Sequence, residues 1–162
     1  MEGKEIKNVL LGRIVATHNN VEAPDFETMD IYGHQLALSN ERGKYVLINL
    51  WATWCGPCIA ELPAIRRIRK QYPRSQLKII SVSCDRDSSA FAKAIKKYKM
   101  TWTQIYNDKN LIIKFGGVTS LPQLFLINEQ GQIIYNRNVS KNGASANLNH
   151  LNALLQNSLK HS

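Results

Sequence analysis

Residues 51–58 are Trp-Ala-Thr-Trp-Cys-Gly-Pro-Cys, so two cysteines are separated by one glycine and one proline. The apolar run from Tyr45 to Leu50 precedes them and predicts a buried strand, and a helical pattern follows them. The pair therefore lies where a strand ends and a helix begins. Unpaired N–H groups at a helix N-terminus lower the pKa of a thiol, and the thiolate is the reactive form of cysteine. This position and spacing predict a thiol–disulfide redox centre.

The size and composition of the chain fit one ordinary domain with a sizeable core, since 44% of its 162 residues are apolar. The formal charge is +9, from 21 Lys and Arg against 12 Asp and Glu. The densest basic runs, residues 66–70 and 93–99, lie on predicted helices, where a solvated face explains them. No nucleic-acid docking motif accompanies the charge, so we expect no nucleic-acid binding, and steering of acidic partners stays open.

The first residues give no targeting signal, because Met1-Glu-Gly-Lys-Glu is polar and the apolar run 9–11 is too short for a signal peptide or a span. We expect membrane association only through a leader or anchor outside these residues. Three cysteines are an odd number, so we expect no structural disulfide framework.

Strands and helices alternate along the predicted chain. Residues 1–22 are expected to form an extended lead-in, and residues 26–38 a β-hairpin that turns at Gly33. A helix is expected from Cys58 to Tyr72, kinked at Pro63 because proline lacks an N–H. The remaining predictions are strands at 77–83 and 101–106, helices from Asp87, from Asp108 to Phe115 and from about Ala144 to Leu159, and a strand–turn–strand unit at 124–135. This order predicts an α/β sandwich around a mixed sheet.

Four stretches together resemble the thioredoxin superfamily, and within it the TlpA/ResA-like extracytoplasmic branch. They are Ala-Pro-Asp-Phe at 23–26, the run 49–58, Glu-Leu-Pro at 61–63, and Leu-Pro at 121–122 followed by Phe-Leu-Ile-Asn at 125–128. The similarity covers about residues 23–160. It implies a single thioredoxin-like domain over 1–162, a three-layer α/β/α sandwich with a mixed central sheet. It also implies an N-terminal β-hairpin extension and a central inserted α/β segment.

The resemblance also assigns roles to three residues. Cys55 is similar to the exposed nucleophile of the family, and Cys58 to the resolving thiol one helical turn inside. Pro122 matches the position of the family's cis-proline, beside which a substrate chain pairs with the backbone of Leu121. Cis peptide bonds occur almost only before proline.

The acid expected to handle protons differs from that of thioredoxin itself. Thioredoxin has a buried acid two residues before the first tryptophan, and here that position is Asn49, which cannot titrate. ResA-like members have an acid three residues after the second cysteine, which Glu61 resembles. Residues three apart share a helix face, so we expect Glu61 to lie near Cys58 and to exchange its proton.

The function implied is that of a thiol–disulfide oxidoreductase that reduces protein disulfides without an organic cofactor or a metal. Gly-Pro between the cysteines is associated with reductants in the family. The implied partners are a protein disulfide substrate and an upstream thiol protein that donates electrons. We expect a monomer in the bacterial periplasm or cell envelope.

Two other functions stay open. Residues 24–26 and the inserted segment also resemble peroxiredoxin-like thiol peroxidases, but those usually have a Thr three residues before a lone cysteine, where this chain has Ala52. The second is a non-catalytic module that binds a metal or a partner through the cysteine pair. A zinc site needs about four ligands, and the histidines show no ligand spacing to the pair: His18, His34, His150 and His161.

Three further residues near the motif receive structural predictions. Trp51 is expected in the core, and Trp54 either contacts a partner or covers the site. Cys84 is expected to be a buried apolar side chain, because a reactive thiol needs an electropositive, exposed setting.

Overall fold

The computed structural model describes residues 2–117, 120–139 and 144–159, with the backbone alone for 144–147. Its first half contains helices α1 (Gly3–Thr17) and α2 (Gly56–Gln71), a 3-10 turn (Leu38–Glu41), and strands β1 (Val21–Glu22), β2 (Glu27–Met29), β3 (Gln35–Ala37) and β4 (Tyr45–Trp51). Its second half contains helices α3 (Ser88–Lys97), α4 (Lys109–Lys114) and α5 (Ala144–Leu159), and strands β5 (Leu77–Ser83), β6 (Thr103–Tyr106), β7 (Gln123–Ile127) and β8 (Gln132–Asn136).

Six strands form one mixed sheet in the order β1-β8-β7-β4-β5-β6. Strands β4, β5 and β6 are parallel, whereas β7 is antiparallel to β4, and β8 to β7. Strands β2 and β3 pair separately as the predicted N-terminal hairpin. Between α2 and Pro122 the chain forms β5, α3, β6 and α4, in agreement with the predicted extra helix and strand.

Alternate side chains of β4 point to opposite faces of the sheet and enter two separate cores. Leu47 and Trp51 pack with side chains of α2, α3 and α5, together with both cysteines of the pair. Ile48 and Leu50 pack with side chains of α1 and α4. Helices therefore cover both faces of the sheet, which confirms the predicted three-layer sandwich.

The expectation of an extended lead-in is wrong for residues 3–17, which form helix α1. The sequence favoured an extended chain because Gly12 and Arg13 interrupt the apolar patch at residues 9–16. In the structure Gly12 lies where α1 crosses α4, and a Cβ built there would be 2.1 Å from the carbonyl oxygen of Ile113. Glycine is needed for this close approach, and the packing outweighs its low helix propensity. The Asn136 side chain also donates a hydrogen bond to the carbonyl oxygen of Val15 in the last turn of α1.

The predicted helix caps are observed. Asp87 accepts hydrogen bonds from the N–H groups of Ser89 and Ala90 at the start of α3, and Asp108 accepts one from Leu111 in α4. Helix α2 continues past Pro63 to Gln71. In the part of the chain that the structure describes, no helix is both long and apolar enough to cross a membrane.

Candidate active site

The two cysteines form a disulfide at the junction of β4 and α2, with their Cα atoms 5.3 Å apart. Cys55 is the N-cap residue of α2, and its Sγ accepts a hydrogen bond of 3.2 Å from the backbone N–H of Cys58. We expected Cys55 to be exposed and Cys58 to lie inside, but the two differ little in this disulfide form, in which 5% of Cys55 and 2% of Cys58 is exposed. When the disulfide is reduced, the unpaired N–H groups and partial positive charge at the N-terminus of α2 stabilise a thiolate at this position.

Pro122 lies beside this junction because of the register between β4 and β7. Leu50, near the end of β4, pairs with Gln123, the first residue of β7. Pro122 is therefore one residue beyond this pair, next to the end of the strand that leads into the cysteines. The Leu121–Pro122 peptide bond is cis, as expected.

Glu61 is a buried residue on α2, three residues after Cys58 and on the same face of the helix. Its Oε1 lies 2.5 Å from Nη1 of Arg137, which follows β8. Its Oε2 is fully buried and has no hydrogen-bond partner among the described residues. Burial raises the pKa of Glu61, and Arg137 opposes this rise without cancelling it.

Tyr135 of β8 lies close enough to Glu61 and Arg137 for both charges to act on its hydroxyl group, and these three residues form a buried cluster. Burial raises its pKa to about 12; Arg137 lowers the pKa and Glu61 raises it. Tyr135 therefore stays neutral near pH 7, and its ring packs edge-on against His150 of α5, with 5.7 Å between the ring centroids. The charges in this described cluster are those of Glu61 and Arg137.

A second buried carboxylate, Asp85, holds the loop that precedes Cys55. It accepts hydrogen bonds from the backbone N–H of Thr53 at 3.0 Å and from the Thr53 hydroxyl at 2.6 Å. It also accepts a hydrogen bond of 2.6 Å from the hydroxyl of Ser83 at the end of β5. Asp85 thus ties the end of β5 to a residue two positions before the candidate nucleophile.

Cys84 directly follows β5 and does not have the low pKa of a reactive thiol. Its backbone N–H donates a hydrogen bond of 2.8 Å to the carbonyl oxygen of Trp51, and its side chain is half-buried against both cores. Burial and the nearby charge of Asp85 raise its pKa to about 12. Cys84 therefore stays protonated near neutral pH and does not compete with Cys55 as a nucleophile.

The other residues singled out in the sequence divide between core and surface. Trp51 is fully buried, as predicted, whereas 67% of Trp54 is exposed beside the cysteines. Asn49 is buried and donates a hydrogen bond of 3.1 Å to Ser81 Oγ, so no titratable group replaces the acid of thioredoxin at this position. Within the described residues, no group of three or more His, Cys, Asp or Glu side chains is arranged so that it could hold a metal ion.

Sequence reasoning missed Arg137 and Asp85. Arg137 is 76 residues from Glu61, and nothing in the spacing connects them, because β8 brings them together only in the folded chain. Asp85 offered a weak signal, since it lies two residues after the predicted strand 77–83 and the carboxyl ends of parallel strands often meet at a functional site.

The sheet, its covering helices and the disulfide at the strand–helix junction define a dithiol protein of the thioredoxin fold. The chain belongs to the AhpC/TSA family, whose model matches residues 20–136. A thiol-disulfide oxidoreductase ResA from Bacillus thuringiensis is 34% identical over 113 residues, which are 70% of this chain and 65% of that relative. The match thus spans just under two thirds of the relative.

Two solved structures have the same fold. A putative thiol:disulfide interchange protein DsbE from Chlorobium tepidum matches with a TM-score of 0.75 at 23% identity, over 88% of this chain and 99% of that one. A thiol-disulfide oxidoreductase from Bacteroides fragilis matches with a TM-score of 0.63 at 28% identity, over 83% and 99% of the two chains. The predicted fold class and the ResA-like resemblance are confirmed.

Proposed function

We propose that this protein is a thiol–disulfide oxidoreductase that reduces disulfides of other proteins through Cys55 and Cys58. The observation that supports this most is the disulfide between these cysteines at the N-terminus of α2, beside the cis bond before Pro122. The names of the ResA and DsbE relatives agree with this chemistry.

The first step is attack on the substrate disulfide by the thiolate of reduced Cys55. A bond forms between Cys55 Sγ and one substrate sulfur, the substrate S–S bond breaks, and the other substrate sulfur leaves as a thiolate and takes a proton from solvent. The product is a mixed disulfide. Pro122 and the backbone of Leu121 border the place where the substrate chain lies.

The second step releases the substrate. Cys58 loses its proton to the Glu61 carboxylate and attacks Cys55 Sγ, which re-forms the Cys55–Cys58 disulfide and frees the second substrate thiol. Two electrons have then passed from the dithiol to the substrate. Glu61 suits proton exchange because burial raises its pKa above its usual value. An upstream thiol protein reduces the disulfide again.

The finer features of this proposal rest on the family resemblance. We propose that the protein is a monomer and acts in the bacterial periplasm or cell envelope, where disulfides of other proteins form and persist. The Gly-Pro pair between the cysteines favours reduction over oxidation as the direction of electron flow.

A turnover assay tests the proposed reaction. The reduced wild type should reduce the disulfides of insulin, and Cys55→Ser should abolish the reaction while the variant stays folded by circular dichroism. Cys84→Ser is the matched control and should retain wild-type turnover. Full turnover by Cys55→Ser would refute the assignment, and consumption of hydrogen peroxide in place of disulfide reduction would favour the thiol peroxidase.

The reduction potential of the cysteine pair tests the direction of electron flow. A potential near that of thioredoxin, about −270 mV, supports a reductase, whereas one near about −120 mV, as in the oxidant DsbA, would reverse the direction. The metal content after anaerobic reduction tests the remaining alternative, a metal-binding module.

A further inference from the structure

A cavity of about 470 Å³ lies at the amino ends of the three parallel strands. Lys44 directly precedes β4, Leu77 begins β5 and Thr103 begins β6, and all three residues line the cavity. The cysteine pair follows the carboxyl end of β4, so the cavity lies at the opposite end of the sheet, and nothing in the proposed reaction uses it. We call this cavity the strand-start pocket.

Basic side chains outnumber carboxylates around the strand-start pocket. Four of its lining residues are cationic near neutral pH: Lys44, Arg69, Arg74 and Lys78. Asp30 is the only Asp or Glu among the described lining residues, and its carboxylate accepts hydrogen bonds within the turn that contains His34. Glu41, beside the pocket, forms ion pairs with Lys44 at 3.3 Å and with Lys78 at 3.1 Å. Four cations thus meet two carboxylates, which leaves an excess of two positive charges when His34 is neutral.

This excess charge belongs to the two arginines. All 12 Asp and Glu of the chain are among the described residues, and none of them forms an ion pair with Arg69 or Arg74. Burial and, after it, the charge of Arg74 lower the pKa of Arg69, so the two guanidinium groups are near enough to repel each other. Two like charges therefore share one pocket without a carboxylate paired to either.

Backbone carbonyl groups hold both guanidinium groups in place. Arg69 Nη1 donates a hydrogen bond of 3.2 Å to the carbonyl oxygen of Tyr72, and Arg74 Nη2 donates one of 3.4 Å to that of Thr101. A guanidinium group has five N–H donors in a planar fork, so one such bond leaves several donors for a ligand. These forks match the oxygens of phosphate and carboxylate groups.

The charge and the size of the pocket favour a phosphate group over a carboxylate. A phosphomonoester carries about −1.5 to −2 charges at neutral pH, which matches the excess, whereas a carboxylate supplies a single negative charge. The volume of the pocket lies within the range of about 300–1,000 Å³ that is typical of small-molecule sites. The ring of Tyr32, which is 72% exposed, borders the pocket and offers a flat apolar surface beside the cations.

We infer that the strand-start pocket binds a small organic phosphomonoester. The phosphate group pairs with Arg69 and Arg74, and the organic part packs on Tyr32. This site goes beyond the proposed function, because it lies at the other end of the sheet from Cys55 and Cys58. Its binding can therefore be measured whether or not the protein reduces disulfides.

Isothermal titration calorimetry of the oxidised protein with phenyl phosphate tests this inference. Phenyl phosphate should bind as one molecule per chain, and added salt should weaken the binding because salt screens exposed charges. Benzoate has the same ring with a single charge and should bind roughly tenfold more weakly. Inorganic phosphate lacks the ring and should bind about threefold more weakly.

Two matched double variants assign the binding to the arginines. Arg69→Gln with Arg74→Gln should weaken the binding of phenyl phosphate by about tenfold or more. The control, Arg67→Gln with Lys70→Gln, removes the same charge from exposed positions of α2 outside the pocket and should bind as wild type does. Arg69→Lys with Arg74→Lys keeps the charge without the fork and should weaken the binding by a smaller factor.

The NMR signals of the wild-type backbone amides locate the site without any substitution. Phenyl phosphate should shift the signals of Tyr32, Arg69 and Arg74 and leave those of Cys55 and Cys58 unchanged. Absence of binding, equal losses in the Gln variant and its control, or shifts confined to the cysteine end of the sheet would overturn the inference. Tighter binding of a Glu-rich peptide than of phenyl phosphate would also overturn it, in favour of an acidic protein partner.

Discussion

Two buried carboxylates, Glu61 and Asp85, both follow the cysteine pair along the chain, and the fold holds them in opposite ways. Asp85 accepts hydrogen bonds from a backbone N–H and two hydroxyls. Glu61 has one ionic neighbour, Arg137, and an Oε2 without a hydrogen-bond partner among the described residues. Donors stabilise a carboxylate in place, whereas a buried oxygen without one favours the protonated form. Asp85 therefore holds the loop before Cys55, whereas Glu61 is the carboxyl group that we propose exchanges a proton.

The largest expected effect is on stability, at Asp85. Asp85→Ala leaves the Thr53 N–H and the Ser83 hydroxyl without their acceptor, so the free energy of unfolding should fall by about 3 kcal/mol. Urea denaturation of the oxidised protein measures this loss. Asp87→Ala, which removes an exposed cap two residues away, should cost only about 1 kcal/mol. Equal losses in the two variants would mean that Asp85 is no more than a surface turn residue.

The next effect is kinetic, at Glu61. Glu61→Gln removes the group that accepts the proton of Cys58, so release of the mixed disulfide should slow by roughly 10²-fold. The first attack by Cys55 should keep its wild-type rate. Stopped-flow measurements with a disulfide that carries a fluorescent leaving group separate the two steps. Unchanged release in Glu61→Gln would remove Glu61 from the mechanism. Asp85→Asn serves as the control for loss of a buried carboxylate.

A smaller effect is expected at Arg137, whose cation opposes the burial that raises the pKa of Glu61. Arg137→Met should raise that pKa further, so the carboxylate forms only at higher pH and release at neutral pH slows by about tenfold. The pH at which release reaches half its maximum should move upward. Arg137→Lys keeps the charge and should raise the pH of half-maximal release by a smaller amount. Equal shifts in both variants would indicate that the shape of the side chain, rather than its charge, is what Glu61 requires.

The smallest effect is the pH dependence of stability. The folded-state pKa of Glu61 is raised above its usual value of 4.5, so the folded state binds more protons than the unfolded chain between these two values. The stability that Glu61 contributes is therefore complete below about pH 4.5 and is lost as pH rises through the folded-state pKa. The unfolding free energy of wild type minus that of Glu61→Gln should therefore fall as the pH rises. A difference that grows with pH would mean that Arg137 lowers the pKa below the usual value.

Much of this architecture could be predicted from the chain, because the elements that hold the cysteines have strong local patterns. The buried strand 45–51, the caps at Asp87 and Asp108 and the cis bond before Pro122 follow from apolar runs, capping residues and the family resemblance. Helix α1 could not be predicted, since Gly12 disfavours a helix until α4 is packed against it. The pairing of Glu61 with Arg137 was also out of reach, because it depends on where β8 ends relative to α2 in the folded chain.

The chemical assignment is tested most directly by trapping the intermediate of the proposed reaction. Cys58→Ser lacks the resolving thiol, so the reduced variant should accumulate a mixed disulfide when mixed with a disulfide-bonded protein. Peptide mapping by mass spectrometry locates the attached sulfur. We predict one adduct per chain, on Cys55, with Cys84 unmodified because its pKa is raised to about 12. An adduct on Cys84, or no adduct on a folded and fully reduced variant, would contradict the account.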